Sequence, residues 1–75
     1  MQETEALARI RAILGDGATV QCSNWYMPET KTYCTLYYAW LDGTIRGHGG
    51  DWADLVADVI TVQQIRAQRD TGKVA

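Results

Sequence analysis

Apolar residues near the start of the chain recur at helical spacing. Leu7, Ile10 and Leu14 lie three or four positions apart, as in the buried stripe of an amphipathic helix. Gly15 stands where a helix commonly ends. The pattern therefore predicts a helix over residues 4–14.

The pattern then changes to the period of two that is typical of strands. Apolar and polar residues alternate over 18–26, and residues 32–41 are rich in aromatic and other strand-favouring side chains. Asp42 and Gly43 form a strong two-residue hairpin signal, so residues 44–48 are predicted to run back along the preceding strand. The sequence thus predicts a three-stranded antiparallel sheet.

Turn geometry predicts how these strands pair. The two-residue turn places Trp40 opposite Ile45, and a first hairpin centred on Pro28 places Cys22 opposite Cys34. The other predicted pairs are Val20 with Leu36, Ala39 with Arg46, Tyr38 with Gly47 and Tyr37 with His48. This register directs one apolar set toward the core, namely Val20, Cys22, Cys34, Leu36, Tyr38, Trp40 and Ile45.

A second helix is predicted over residues 51–69. Asp51 follows two glycines and suits the N-cap position. The β-branched run at 59–62 disfavours helix, so two shorter helices, 52–60 and 62–70, are an alternative. The expected fold is a single α+β domain over the whole chain, in the order α-β-β-β-α, with both helices on one face of the sheet.

The face left open by the helices is the first candidate site. The predicted register places Trp25, Tyr33, Tyr37, Arg46 and His48 on it. Tyr, Trp and Arg are enriched at binding hot spots, because they bury a large area and keep a polar group. The alternative is that tyrosine simply suits an exposed strand.

An acidic side is the second candidate site. Asp51, Asp54 and Asp58 recur along the start of the second predicted helix. They can dock on a basic protein, or they can serve only as cap, dipole compensation and solvated surface.

The histidine and cysteine residues of the sequence give little support for a catalytic site or a metal site. His48 is the only histidine, and the predicted register puts it on the opposite face from Cys22 and Cys34. A zinc site needs about four suitably spaced ligands, and no such spacing is present. We therefore expect no enzyme, metal or cofactor, and two reduced thiols in preference to a cross-strand disulfide.

Net charge and sequence length limit which partners and which cellular compartments are expected for this protein. The chain has 75 residues and a net charge of −2, and this balance argues against non-specific binding to nucleic acid. Residues 1–5 are acidic and polar, unlike a secretory signal, and no apolar run reaches the roughly 20 residues that span a bilayer. We expect a protein of the cytoplasm of a bacterial host cell, without membrane contact.

Two resemblances add expectations. The α-β-β-β-α order, with residues 41–51 running from strand into helix, resembles the double-stranded RNA-binding domain. That family uses lysines at the start of its last helix, where this chain has Asp51, Trp52, Ala53 and Asp54, so the resemblance implies the fold layout alone. In size and style the chain also resembles small accessory proteins of phages and mobile elements, among them the anti-CRISPR proteins, which block surfaces of a nuclease complex.

These observations predict a non-catalytic protein-interaction module. Its sharpest form is a phage-derived inhibitor that binds a host defence protein, such as a nuclease complex, through the open face and the acidic helix. One alternative is a small nucleic-acid-binding module that uses Trp25, Tyr33, Tyr37, Arg46 and His48. The other is a homodimer with a structural role.

Overall fold

The computed structural model describes residues 1–74, with side chains to residue 69. Its elements are α1 (Glu3–Leu14), β1 (Thr19–Met27), β2 (Thr32–Leu41), β3 (Thr44–Gly49) and α2 (Trp52–Val74). The three strands form one antiparallel sheet in the order β1-β2-β3. The predicted α+β class and the α-β-β-β-α order are therefore confirmed.

Helix α2 is one continuous helix, so the alternative of two shorter helices, 52–60 and 62–70, is wrong. Thr61 lies inside the helix, and its hydroxyl donates to the carbonyl oxygen of Ala57 at 3.1 Å. At the start of the helix, Oδ1 of Asp51 accepts from the N–H of Asp54 at 2.7 Å, as an N-cap residue does. The β-branched run at 59–62 is thus accommodated within one helix, because packing against the sheet outweighs propensity.

The predicted register between β1 and β2 is wrong. Cys22 pairs with Tyr37, three positions away from its predicted partner Cys34, and Val20 pairs with Ala39 in place of Leu36. The hairpin loop spans four residues, 28–31, and does not centre on Pro28. A shift of three positions is odd, so it reverses the faces of β1 and β2 relative to each other.

The register between β2 and β3 begins as predicted and then changes. Trp40 pairs with Ile45, but a β-bulge between Ala39 and Trp40 makes Arg46 the extra residue. The pairs predicted beyond this point are therefore wrong by one position. The observed pairs are Ala39 with Gly47, Tyr38 with His48 and Tyr37 with Gly49.

Both helices pack on one face of the sheet, here called the covered face. Its residues Val20, Tyr37, Ala39 and Leu41 meet the core residues of the helices. The largest fully buried side chains are Ile10, Leu55 and Val59.

Helix α2 approaches β3 so closely that side chains larger than glycine do not fit between them. A Cβ at Gly49 would lie 2.6 Å from the backbone nitrogen of Leu55, and one at Gly47 would lie 2.8 Å from Cγ2 of Val59. Real Cβ atoms are not found at such distances. Small residues therefore line the covered face under α2.

This close approach explains why the predicted core set lies largely on the other side of the sheet. Pairing places Val20 and Cys22 on the covered face. The rest of the set has the opposite parity and lies on the other face: Cys34, Leu36, Tyr38, Trp40 and Ile45. The prediction assigned bulky side chains to this face, but where Leu55 and Val59 of α2 approach β3 it carries only Gly47 and Gly49.

Candidate functional site: the uncovered face of the sheet

The second face of the sheet, here called the uncovered face, carries large apolar side chains. Neither helix lies over it in the part of the chain that the structure describes. Its bulky members are Trp25, Leu36, Tyr38, Trp40 and Ile45. Trp25 is 43% exposed and Ile45 is 45% exposed, while the other three are half-buried. The solvated face of an antiparallel sheet is normally polar, so this composition is unusual.

A polar clamp holds the central tryptophan of this face. The indole N–H of Trp40 donates to Oε1 of Gln21 at 3.0 Å, across the β1–β2 pair. The amide of Gln21 in turn donates to Oγ of Ser23 at 3.4 Å. Because these contacts orient the ring before any partner arrives, less conformational entropy is lost on binding.

Sulfur atoms extend the apolar surface toward the hairpin tip. The thiol of Cys34 donates to Sδ of Met27 at 3.1 Å, and Cys34 pairs with Trp25. Both cysteines are free, and the observed register does not place Cys22 opposite Cys34. Met and Cys are polarisable, and Met adapts its shape to neighbouring atoms.

Charge is sparse on the uncovered face. None of its bulky residues is flanked on the same face by Asp, Glu or Lys within β1, β2 or β3, because these strands contain none of the three residue types. The extra residue Arg46 is half-buried, and its Nε is enclosed without a hydrogen-bond partner. His48 is exposed and pairs with Tyr38. The face therefore suits an apolar protein surface better than a phosphate backbone.

Two of the predicted sheet-face residues lie on the other side. Tyr37 is on the covered face, where its ring contacts Trp52 with ring centroids 4.4 Å apart. Tyr33 has the same parity but is 80% exposed, and its ring stacks at a tilt on Tyr26, 5.1 Å between centroids. Of the five predicted residues, only Trp25 and His48 lie on the uncovered face by strand pairing.

Burial also perturbs the ionisation of Tyr37. Loss of solvent around the phenol raises its pKa above 10.0, and the neighbouring Cys22 side chain raises the pKa further by charge and by a hydrogen bond. A smaller effect in the same direction comes from the charge of Asp51, which also raises the pKa of Tyr37. The shift belongs to a partly buried residue that packs against the core, and it gives no evidence of acid–base chemistry.

The predicted acidic side is engaged largely in the fold itself. Asp51 caps α2. Oδ2 of Asp58 accepts from the backbone N–H of His48 at 2.9 Å and so joins α2 to β3. Asp54 remains exposed. Two of the three carboxylates thus have local structural partners.

A shallow groove lies between the start of β3 and the second half of α2. Its volume is about 430 Å³, and its walls are Thr44, Val62, Ile65, Arg66 and Arg69. Within the described residues, no three His, Cys, Asp or Glu side chains come together to hold a metal ion. None of the described helices combines the length and apolarity needed to cross a membrane.

The sequence pattern predicts four of the five bulky residues of the uncovered face as core, namely Leu36, Tyr38, Trp40 and Ile45, whereas it places Trp25 on the open face. The signal that could have found them is the run of small residues that the second helix needs beneath it: Ala39, Gly47 and Gly49. Where one parity of a sheet carries glycine and alanine, a helix can pack there, and the bulky parity is left outside.

Comparison with known protein families, curated proteins and solved structures finds no match to this chain.

Proposed function

We propose that this protein is a non-catalytic interaction domain that binds another protein through the uncovered face. The observation that carries the proposal is the placement of Trp25, Leu36, Tyr38, Trp40 and Ile45 on a face that no helix covers in the described chain. Trp and Tyr dominate the binding energy of protein interfaces.

The size of the surface supports this proposal. Strands lie about 4.8 Å apart and rise about 3.4 Å per residue, so the three strands present a footprint of roughly 400 Å². Part of this footprint is polar, from residues such as Gln21 and Ser23, and its apolar part is the kind of contiguous patch that is often functional on a monomer. The footprint is also about half of the roughly 800 Å² that one partner buries in a standard interface.

The partner class in this proposal is a bacterial host protein met in the cytoplasm, in the manner of a phage inhibitor. Length and resemblance to small phage accessory proteins motivate that class, with a nuclease complex as its sharpest example. Because the uncovered face is apolar and carries little charge, we expect it to bind a partner surface that is also apolar and weakly charged. The acids at the start of α2 add little to this surface, because Asp51 and Asp58 have partners in the fold.

A pull-down from bacterial lysate tests the proposal. The tagged chain, Trp40→Ala and Tyr33→Ala are compared with and without nuclease, and the captured material is identified by mass spectrometry. Both variants shorten an aromatic residue on the same strand, but Trp40 lies on the uncovered face and Tyr33 does not. We expect one dominant protein to be captured by the wild type and Tyr33→Ala after nuclease treatment.

Trp40→Ala should bind that protein at least about tenfold more weakly, which corresponds to about 1.4 kcal/mol. Far-ultraviolet circular dichroism must show that the variant is folded. Equal capture by Trp40→Ala would remove the uncovered face as the binding surface. Loss of all captured material after nuclease would favour nucleic-acid binding.

A further inference from the structure

The two edges of the sheet differ in how they are protected. Strand β1 is one edge and has nine residues, Thr19–Met27, without a charge, a proline or a glycine. It pairs with β2 alone, and no other strand of the described chain pairs with its outer side. An edge strand of this kind presents unpaired N–H and C=O groups that can extend the sheet.

Strand β3, the other edge, carries several of the devices that block such extension. It is six residues long and carries Arg46 at a β-bulge. One of its backbone groups, the N–H of His48, is occupied by the carboxylate of Asp58 from α2. Shortness, charge, bulges and covering elements are the usual protections of a sheet edge. The chain therefore protects one edge and leaves the other open.

We propose that β1 pairs antiparallel with β1 of a second copy of this chain, around a two-fold axis perpendicular to the sheet. The product is one six-stranded sheet in the order β3-β2-β1-β1-β2-β3. This proposal concerns the edge of the sheet and does not rest on the proposed function of the uncovered face.

The edges of the resulting sheet favour pairing with a second copy over pairing with a strand of another protein. When two β1 strands pair, the six-stranded sheet ends on both sides in a protected β3 edge. A strand from another molecule would instead become a new outer edge. A symmetric dimer satisfies both open edges at once, which is the property that limits assembly to two copies.

Charge argues in the same direction. A two-fold axis through β1 brings the strand against itself, so any charged side chain near the axis would face its own copy. Like charges directly opposite each other destabilise a strand pair. The nine residues of β1 contain no such charge, and self-pairing therefore carries no electrostatic penalty within the strand.

The dimer would also change the uncovered face. A two-fold axis perpendicular to the sheet keeps the helices of both copies on one side. The two uncovered faces then join into one surface, with Trp25 and Trp40 contributed by each copy. A footprint of roughly 800 Å², twice the single-chain value, meets the size of one side of a standard interface.

Measurement of the mass in solution tests the proposal. Sedimentation equilibrium of the full chain from low micromolar concentrations up to about 1 mM, the range in which weak pairing appears, should show the mass rise from the chain mass of 8.4 kDa toward twice that value. Ser23→Lys places a positive charge at the middle of β1 and should give the single-chain mass. His48→Lys adds the same charge to the β3 edge and should keep the dimer.

Three outcomes would overturn the proposal. The first is a single-chain mass for the wild type at every concentration. The second is a dimer that Ser23→Lys leaves intact. The third is a dimer that Trp40→Ala abolishes: Ser23 and Trp40 both lie on the uncovered face, so loss of the dimer in Trp40→Ala would mean pairing through that face and not through the edge.

Amide hydrogen exchange of the wild type provides a test that needs no variant. In the dimer, the outward-directed amides of β1 are hydrogen-bonded and should exchange at least about tenfold more slowly at high than at low protein concentration. Exchange of these amides that is independent of concentration would also overturn the proposal. The pull-down with Trp40→Ala is read separately, so failure of the dimer and failure of host-protein binding are distinguishable.

Discussion

Tyr37 illustrates how a single side chain changes its role with the face on which it lies. Read as part of the open face, it would be a binding residue whose removal leaves the fold intact. On the covered face it contacts Trp52, with ring centroids 4.4 Å apart, and packs against the core. Its removal is therefore a change in the stability of the domain.

We expect Tyr37→Ala to lower the melting temperature by about 10 °C, because it leaves a cavity beside Trp52. Tyr33→Ala is the matched control: Tyr33 lies on the same strand and is 80% exposed, so its melting temperature should stay within about 2 °C of the wild type. Thermal unfolding followed by circular dichroism measures both. Equal melting temperatures for the two variants would contradict the assignment of the covered face.

The same residue makes the stability sensitive to alkaline pH. The pKa of Tyr37 is raised above 10.0 in the folded state, so folding favours the neutral phenol. This contribution is fully present below the unfolded pKa and is lost as the pH rises through the folded pKa.

Tyr37→Phe cannot ionise, so its stability should fall less steeply above pH 10 than that of the wild type. Chemical denaturation at a series of pH values measures the two slopes, and a variant at exposed Tyr33, Tyr33→Phe, serves as the control. Parallel slopes for the wild type and Tyr37→Phe would show that the burial of this phenol does not govern the alkaline response.

At the scale of elements, the junction of β3 and α2 depends on glycine at one position and not at the next. A Cβ at Gly49 would lie 2.6 Å from the backbone nitrogen of Leu55, whereas the nearest atom to a Cβ at Gly50 is Oδ2 of Asp54, 3.9 Å away. Backbone cannot move aside as a flexible side chain can.

Gly49→Ala should therefore destabilise the domain by about 2 kcal/mol through overpacking. Gly50→Ala, one position along, should change the free energy of unfolding by less than about 0.5 kcal/mol. Urea denaturation gives both values. A neutral Gly49→Ala would mean that α2 does not pack on β3 as closely as described.

The elements themselves could be predicted because their signals are local. The helical spacing in α1, the alternation in β1 and the Asp42-Gly43 turn each depend on neighbouring residues. The register could not be predicted, because it depends on loop length and on a bulge. Pro28 suggested the centre of a hairpin whose loop in fact spans 28–31, and nothing before Arg46 signals that one residue is extra.

At the scale of the whole molecule, the fold is a two-layer arrangement with its bulkiest sheet residues outside the core. The fully enclosed part of that core is small, with Ile10, Leu55 and Val59 as its largest side chains. A chain of this length has only modest stability. Any partner that covers the uncovered face should therefore raise the stability of the domain by mass action.

The sequence allows the aromatic character of the candidate site to be predicted, but not the face of the sheet on which it lies. The sequence indicated an aromatic sheet face, and such a face exists. The pattern predicts the wrong face because bulky apolar residues usually mark the core, whereas the close approach of α2 to Gly47 and Gly49 selects small residues there. Distances between elements distant in sequence decide this, and local patterns do not contain them.

The tryptophans are divided between the two faces of the sheet, so intrinsic tryptophan fluorescence can report on each face. Of the three tryptophans, Trp25 and Trp40 lie on the uncovered face, and Trp52 contacts Tyr37 on the covered face. Indole emission shifts to shorter wavelength when water around the ring is replaced by apolar atoms. Partner binding at the uncovered face would therefore be visible in the two outer indoles without any label, while the third reports whether the core has stayed intact.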